Sequence, residues 1–220
     1  MPRRDAFIPL NMPMPTKKRS RLSAADRREQ LISVAQQLFA EHGVQPTTVE
    51  DIATAAGVTK PLIYEHFGGK EGLYAVVVDR AMRDLLDQLV GSLTSGGSSR
   101  ELLERGAVAL LTYIEEHPAA FRVLLRDSPT WHGTGSAASI LSTVASHVEA
   151  IVVEVFERND LDVEVVPIYA QMLVGMIGFT GEWWIESGSS LSRDTVAAHM
   201  VNLAWHGLGN IEKEPTLKTL

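Results

Sequence analysis

The sequence predicts an all-α protein with two parts, an N-terminal three-helix domain that contains a helix-turn-helix and a larger C-terminal helical domain. Two observations support this prediction. Between residues 47 and 70, a capped short helix, a glycine turn and a second short helix fit into twenty-four residues. Beyond residue 70, apolar residues recur at helical spacing and no period-two segment of convincing length appears.

The first helix is predicted from about Ser23 to His42. Ser23 has Asp26 three residues later, which suits a helix cap, and Gly43 suits the residue that ends the helix. The residues expected to form its buried stripe are Leu31, Ile32, Ala35, Leu38 and Phe39.

The next two helices form the predicted helix-turn-helix. Thr47 or Thr48 can begin the first of them, because each hydroxyl has an acid three residues on. Gly57 can turn the chain at positive φ. Thr59 can cap the second helix, and Pro61 suits its first turn because the missing N–H costs nothing there. The apolar residues expected to hold both helices down are Val49, Ile52, Ala53, Ala56, Val58, Leu62, Ile63 and Phe67.

A long helix over residues 70–93 is predicted to join this head to the rest of the chain, so it is where a signal can pass. The remainder is predicted to be helical throughout, over residues 100–116, 118–126, about 136–158, 167–187 and 192–208. The predicted domains are a flexible basic arm at 1–21, a helix-turn-helix domain at 22–69, a larger helical domain at 70–209, and a tail at 210–220.

Charge is distributed unevenly along the chain. Residues 1–70 hold ten Lys and Arg against seven Asp and Glu, whereas residues 71–220 hold ten against twenty. Affinity for phosphate is therefore expected from the first third. A basic run precedes the first helix and is either an arm that reaches DNA or a solvated tail. It consists of Lys17, Lys18, Arg19 and Arg21.

Several classes of protein are not supported by the sequence. It has no cysteine, so disulfides and thiolate metal sites are excluded. The seven histidines are scattered without ligand spacing, and no phosphate-binding loop, metalloprotease motif or nucleophile elbow occurs. We therefore expect no metal, no cofactor and no catalysis. No uninterrupted apolar run approaches about 20 residues, which favours a cytoplasmic protein.

Caps, turn glycine, core positions and polar positions together form the pattern T-T-x-x-x-I-A-x-x-A-G-V-x-x-x-x-x-Y-x-H-F-x-x-K-E-x-L. Over roughly residues 24–74 this resembles the N-terminal domain of the TetR family of bacterial transcriptional regulators. The resemblance implies a homodimeric repressor that leaves a palindromic operator on double-stranded DNA when a small-molecule effector binds. It implies phosphate contacts from Thr48, Tyr64, His66 and Lys70, and base contacts from Thr59, Lys60, Pro61 and Leu62.

The resemblance also implies a ligand cavity between the helices of the C-terminal domain. This domain is rich in aromatic and sulfur side chains, which suits a hydrophobic or amphipathic effector such as a fatty acyl-CoA or an aromatic compound. Aromatic and methionine side chains at helical spacing are also typical of an ordinary core. The candidate ligand-binding residues are Tyr113, His117, Phe121, His147, Gln171, Met172, Met176, Phe179 and Trp183.

Small and apolar residues on the last two helices indicate a dimer contact, because small residues let helices approach closely. Similar proteins dimerise through a four-helix bundle built from these two helices of each subunit. Packing within one chain would explain the same pattern. The candidate interface residues are Ala170, Val174, Gly178, Gly181, Ala197, Val201, Ala204 and Leu208.

Two other classes of function remain open at this point. A ligand-independent DNA-binding activator or architectural protein would show no response to any effector. An enzyme fused to a helix-turn-helix would need a catalytic cluster, and the sequence contains none that we can identify.

Overall fold

The computed structural model of the chain describes residues 22–93, 97–126, 137–211 and 215. Over these residues the chain is helical and contains no strand, which confirms the predicted fold class. The predicted basic arm and most of the predicted tail lie outside the described residues. The helices are α1 (Ala24–His42), α2 (Val49–Ala56), α3 (Lys60–Phe67), α4 (Lys70–Leu93), α5 (Ser99–Glu116), α6 (Pro118–Arg126), α7 (Ala137–Arg158), α8 (Val166–Glu186) and α9 (Arg193–Leu208), with a 3-10 turn at Val163–Val165 before α8.

The start of α2 is set by Thr48. Its Oγ1 accepts a hydrogen bond from the Asp51 N–H at 3.1 Å, and the Asp51 carboxylate accepts from the Thr48 N–H at 2.8 Å, which completes a capping box. Thr47 is 2% exposed instead, and its hydroxyl donates to the Gly43 carbonyl at 2.7 Å. Gly57 ends α2 in the left-handed conformation at φ 64°, as predicted.

Thr59 occupies the N-cap position of α3, but its side chain makes no capping hydrogen bond, so that prediction was wrong. A cap accepts from the N–H of the second or third helical residue. Pro61, the second residue, has no N–H, and the Leu62 N–H already donates to the Thr59 carbonyl at 3.1 Å. The start of α3 is therefore fixed by the proline backbone.

Two apolar cores share α4 and α6. Leu73 and Val77 of α4 are fully buried in the core of α1–α3, and Ala119 and Val123 of α6 belong to the same core. Further along α4, Leu85 belongs to the core of the C-terminal domain, as do other residues of α6. Because two helices have side chains in both cores, the head is held by packing on both of them.

Helices α4 and α5 run antiparallel and are joined by hydrogen bonds along their length. The Tyr113 hydroxyl donates to the Ala81 carbonyl at 2.8 Å, and the Gln88 amide donates to the Ala109 carbonyl at 3.3 Å. Burial raises the pKa of Tyr113, so its hydroxyl stays protonated and remains a donor. The end of α4 that is far from the head therefore lies beside the start of α5.

Helix α8 is the most apolar helix that the structure describes. Residues Val163–Glu186 are long and apolar enough to cross a membrane by length and composition alone, with a mean hydropathy of 1.5. In the structure α8 packs against α5 and α7 on one side and exposes large apolar side chains on the other. Packing within the chain accounts for only part of this composition, because 33% of that apolar window is buried.

The small residues of α8 and α9 face the interior of a single chain. Ala170 is fully buried and Val174 is 5% exposed, while Gly181 lies under the side chain of Ile114 on α5. Ala197, Val201 and Ala204 are buried as well. Within the single chain these residues are therefore packed against α5 and the core. The side chain of Leu208 lies outside the described residues.

The two buried glycines of α8 allow a test of this packing. A Cβ at Gly181 would lie 2.3 Å from Ile114 Cδ1, whereas a Cβ at Gly178 would meet only Phe121 Cζ at 4.0 Å. Replacing a helical glycine by alanine gains about 1 kcal/mol, and overpacking a core costs about 1–3 kcal/mol. We expect Gly178→Ala to raise the free energy of unfolding and Gly181→Ala to leave it unchanged or lower it by up to about 2 kcal/mol. Urea unfolding at equal protein concentration measures both; equal stabilisation by the two variants would contradict this packing.

Candidate nucleic-acid interface and apolar cavity

The exposed surface of the head lies on α3. Thr59, Lys60, Pro61 and Tyr64 are all exposed, and the Tyr64 side chain is 55% exposed even though it is large and mostly apolar. Ile63, on the opposite side of the helix, is fully buried and fixes α3 to the core. The helix-turn-helix thus presents hydroxyl, ammonium and aromatic groups from one rigid helix.

Lys60 forms an ion pair that the sequence analysis did not predict. Its ammonium forms an ion pair with Glu50 of α2, and both side chains are largely exposed. An exposed pair of this kind contributes little to stability. A phosphate or a base edge would have to displace the carboxylate to reach the ammonium.

The Thr48 hydroxyl is already engaged in the structure. It donates to the Asp51 carboxylate at 2.6 Å while accepting from the Asp51 N–H. The hydrogen bonds from the side chain and backbone of Thr48 lower the pKa of Asp51. The hydroxyl proton would therefore have to turn away from Asp51 for Thr48 to donate to a phosphate.

The Lys70 ammonium is half-buried and ties two segments together. It donates to the Val44 carbonyl at 2.9 Å and to the Gln45 carbonyl at 3.3 Å, which joins the start of α4 to the loop after α1. An ammonium carries three donors, so these two bonds leave one for another acceptor.

Two predicted contact residues are less accessible than the others. Leu62 is half-buried and packs on the core of the head, which leaves only part of its side chain for a thymine methyl group. His66 is also half-buried, and its ring lies 6.0 Å from that of Phe67.

An apolar cavity of about 440 Å³ lies among α4, α5, α7, α8 and α9. Its walls are mainly aliphatic. The lining residues on α4 are Leu86, Leu89 and Val90; α5 contributes Leu102, Leu103, Ala107 and Leu110, and α8 contributes Leu173, Val174 and Ile177. A cavity of this size is within the range of small-molecule sites in proteins.

None of the predicted ligand-binding residues is among those that line this cavity. Tyr113 and Phe121 are buried in the core, Met176 is half-buried, and His117 and Gln171 are exposed. Met172, Phe179 and Trp183 point outward from α8 with exposed fractions of 61%, 67% and 58%. The side chain of His147 lies outside the described residues. The prediction followed aromatic and sulfur side chains, whereas the cavity is lined by aliphatic residues that look like ordinary core in a sequence.

Large apolar side chains form an exposed stripe along α8, which we call the α8 stripe. It consists of Ile168, Met172, Phe179 and Trp183, whose spacing of four, seven and four residues keeps them on one side of a helix. Leu203 of α9 is 67% exposed and is a fifth large apolar side chain on these two helices. A concentration of exposed apolar residues of this kind marks a contact surface.

The described residues contain no group of three or more His, Cys, Asp or Glu side chains that could hold a metal ion.

Comparison with known proteins gives consistent matches to one family. Residues 31–77 match the family model for bacterial regulatory proteins of the tetR family, and residues 88–219 match a tetracyclin repressor-like C-terminal domain. The transcriptional repressor KstR2 of Rhodococcus jostii is 30% identical, with 84% of this chain and 92% of that protein covered. The transcriptional activator FasR of Mycolicibacterium smegmatis is 25% identical, with 87% of each chain covered.

Solved structures show the same architecture. A TetR-like transcriptional regulator from Rhodococcus sp. RHA1 superimposes with a TM-score of 0.73 at 26% identity, covering 87% of this chain and all of that one. The fatty acid degradation regulator FadR of Bacillus halodurans shares the fold, with a TM-score of 0.68 at 19% identity over 81% of this chain and 94% of that one. The chain therefore belongs to the tetR family of bacterial regulatory proteins and is a transcriptional regulator.

Proposed function

We propose that the protein is a homodimeric repressor that binds a palindromic operator and is released when a hydrophobic or amphipathic molecule enters the cavity between α4, α5, α7, α8 and α9. The observation that carries the proposal is that α4 lines this cavity and is also part of the core of the head. A molecule in the cavity therefore touches the helix that positions the DNA-reading surface. Such a DNA-binding role also implies a cytoplasmic location.

The DNA contacts that we propose follow the exposed surface of α3. Lys60 suits the O6 and N7 acceptors of guanine, with Thr59, Pro61 and the free part of Leu62 beside it. Tyr64 and His66 of α3, Thr48 before α2 and the third donor of Lys70 at the start of α4 would donate to phosphate oxygens. To contact guanine, the Lys60 ammonium must break its ion pair with Glu50. It is therefore expected to bind only where the DNA offers a better acceptor than that carboxylate.

Release of the operator requires that the effector binds one arrangement of the two heads in the dimer more tightly than the other. Two connections can transmit that preference. The first is α4, whose Leu86 lines the cavity and whose Val77 lies in the core of the head. The second is α6, because its Ala119 and Val123 are in the head while Phe121 packs in the C-terminal core.

For the dimer contact we propose the α8 stripe together with Leu203, in place of the small residues that the sequence suggested. These large apolar side chains are exposed in a single chain, whereas the small ones are already packed. Dimerisation also fits the helix-turn-helix, since two-fold symmetric proteins read palindromic half-sites.

The sign of regulation is the main alternative. The relatives named above include one activator and one repressor, so an activator that needs its effector to bind DNA is the second candidate. Operator binding measured with and without effector separates the two, because effector weakens the DNA complex of a repressor and strengthens that of an activator.

Selection of binding sites from random DNA tests the proposed contacts. Tyr64→Phe is expected to weaken binding to all sequences alike, because a phosphate contact positions the protein without reading bases. Lys60→Ala is expected to relax the preference at one base-pair position per half-site, with a loss of discrimination of about 1–3 kcal/mol. Arg83→Ala, which removes an exposed charge from α4, serves as the matched control and should leave the selected sequence unchanged. Enrichment of the same sequence, with the same affinity, by all four proteins would contradict the assignment of α3 as the reading helix.

A further inference from the structure

We infer that the effector is an amphipathic molecule with one flexible aliphatic chain, and that the chain enters the cavity tail first from the end of the domain farthest from the head. This inference rests on the proposed function, since it names the class of molecule that would fill the cavity. Three features of the cavity support it: the chemistry of its walls, the position of its opening and its length.

The walls offer aliphatic surface and no charge. Of the 21 residues that line the cavity, sixteen are alanine, valine, leucine or isoleucine, and Trp205 is the single aromatic one. None of these lining residues carries a charged side chain. A carboxylate or ammonium buried here would lack a partner, at a cost of several kcal/mol. Any charged group of the ligand must therefore stay outside, while a hydrocarbon chain gains free energy from entering.

The opening lies at the end far from the head. The exposed residues among the lining are Val90 near the end of α4, Asn159 just after α7 and Gly209 just after α9. Ser99, the first residue of α5, is at the same end, because α4 and α5 are antiparallel. The polar side chains of Ser99 and Asn159 therefore stand at the mouth, where a polar head group can form hydrogen bonds to them and to water.

The mouth also carries charge just outside the cavity. The Arg100 guanidinium lies over the ring of Trp205, 5.8 Å from its centroid, and forms an ion pair with Glu104 at 3.0 Å. These groups flank the opening and leave the interior uncharged. A head group that is a carboxylate, an ester or an amide is thus compatible with the mouth and incompatible with the interior.

The lining residues farthest from the mouth include Leu86 on α4, Leu110 on α5 and Ile177 on α8, and we call this the closed end because Leu110 and Ile177 are buried. Leu110 follows Ser99 on α5 by eleven residues, which corresponds to about 16 Å at about 1.5 Å per residue. An extended chain advances about 1.2 Å per bond, so a chain of on the order of a dozen carbons spans this distance and its terminal methyl group would contact Leu86 of α4.

A series of straight-chain saturated carboxylates from hexanoate to stearate tests this inference on the full-length protein. One buried methylene contributes about 0.8 kcal/mol, so the dissociation constant is expected to fall about fourfold for each added methylene until the chain reaches the closed end. Longer chains should bring no further gain. Isothermal titration calorimetry measures the affinities, and the intrinsic tryptophan fluorescence, to which Trp205 at the mouth contributes, provides a second readout. Cholate and naphthoate, which are rigid, serve as comparison ligands and should bind much more weakly than the best straight chain.

One substitution at each end of the cavity locates the closed end. Leu86→Trp adds bulk at that end and is expected to shift the point where the affinity stops rising to shorter chains. Ser99→Trp adds similar bulk at the mouth, and is expected to leave this point unchanged even if all affinities decrease. Circular dichroism confirms that both variants are folded.

Three outcomes would overturn the inference, and they bear differently on the proposed function. If cholate or naphthoate binds tightly and releases operator while the straight chains do not, the inference is wrong and the proposed function stands. An equal shift of the break point by both tryptophan variants would show that the chain does not enter tail first. If no compound binds and operator affinity never changes, the proposed effector response fails together with the inference.

Discussion

Replacing Phe179 with glutamate is expected to convert the homodimer into monomers. Phe179 is the most exposed residue of the α8 stripe, and two-fold symmetry places a carboxylate in both halves of the interface. Loss of a central aromatic contact typically costs about 2 kcal/mol or more, so two copies would weaken dimerisation by about 1000-fold. Sedimentation velocity over a range of protein concentrations measures the change.

Leu22→Glu is the matched control for this experiment. Leu22 is an exposed apolar residue of the head, at 45% exposure, and it lies before α1 in the sequence, away from α8 and α9. The control protein should sediment as the wild type does. A wild type that is monomeric at micromolar concentration, or a Phe179→Glu variant that stays dimeric, would show that the α8 stripe is not the contact between subunits.

Filling the cavity is expected to weaken effector binding while leaving DNA binding unchanged. Ile151 on α7 is half-buried and lines the cavity, so Ile151→Trp would place an indole in the space that the effector needs. Overlap of this kind costs about 1–3 kcal/mol, which corresponds to a loss of effector affinity of about 5- to 150-fold. Operator affinity should stay close to that of the wild type, because residue 151 lies outside the head.

Ala150→Trp provides the control on the same helix. Ala150 is exposed and does not line the cavity, so an indole there should change neither effector binding nor operator binding. Fluorescence anisotropy of labelled operator, titrated with effector, measures both variants. If effector releases the Ile151→Trp variant as readily as the wild type, the effector site lies elsewhere.

The helices and the helix-turn-helix could be predicted from the sequence because their signals are local. Ser23, Thr48 and Gly57 set caps and turns through atoms within a few residues, and the structure places them as expected. Thr59 was the exception, since Pro61 has no N–H and the N–H of Leu62 donates to the Thr59 carbonyl and not to its hydroxyl.

The surfaces of α8 could not be predicted in the same way. Helical spacing correctly groups Ala170, Val174, Gly178 and Gly181 on one face, but it does not tell whether that face meets the same chain or another one. The structure answers this through a non-local contact, the side chain of Ile114 above Gly181. The sequence offered no sign of that contact, because the two residues are far apart along the chain.

The cavity was equally hidden from the sequence. Its aliphatic residues, such as Leu103 and Val152, have the same composition and spacing as those of a filled core. The cavity exists because of how five helices are positioned relative to one another, and the sequence alone does not give those positions. The pair of Lys60 and Glu50 was also missed, although an acid in the first turn of α2 and a lysine at the start of α3 are close in the sequence and could have suggested it.

The most direct test of an effector-controlled repressor is to measure the affinity of one effector twice, with the protein free and with the protein saturated by operator. Linkage requires that operator weakens effector binding by the same factor by which effector weakens operator binding. We predict a common factor within the range typical of allosteric coupling, about 5- to 150-fold. Identical effector affinity in the two titrations would show that binding in the cavity and binding of DNA are not coupled, and would contradict the proposed function.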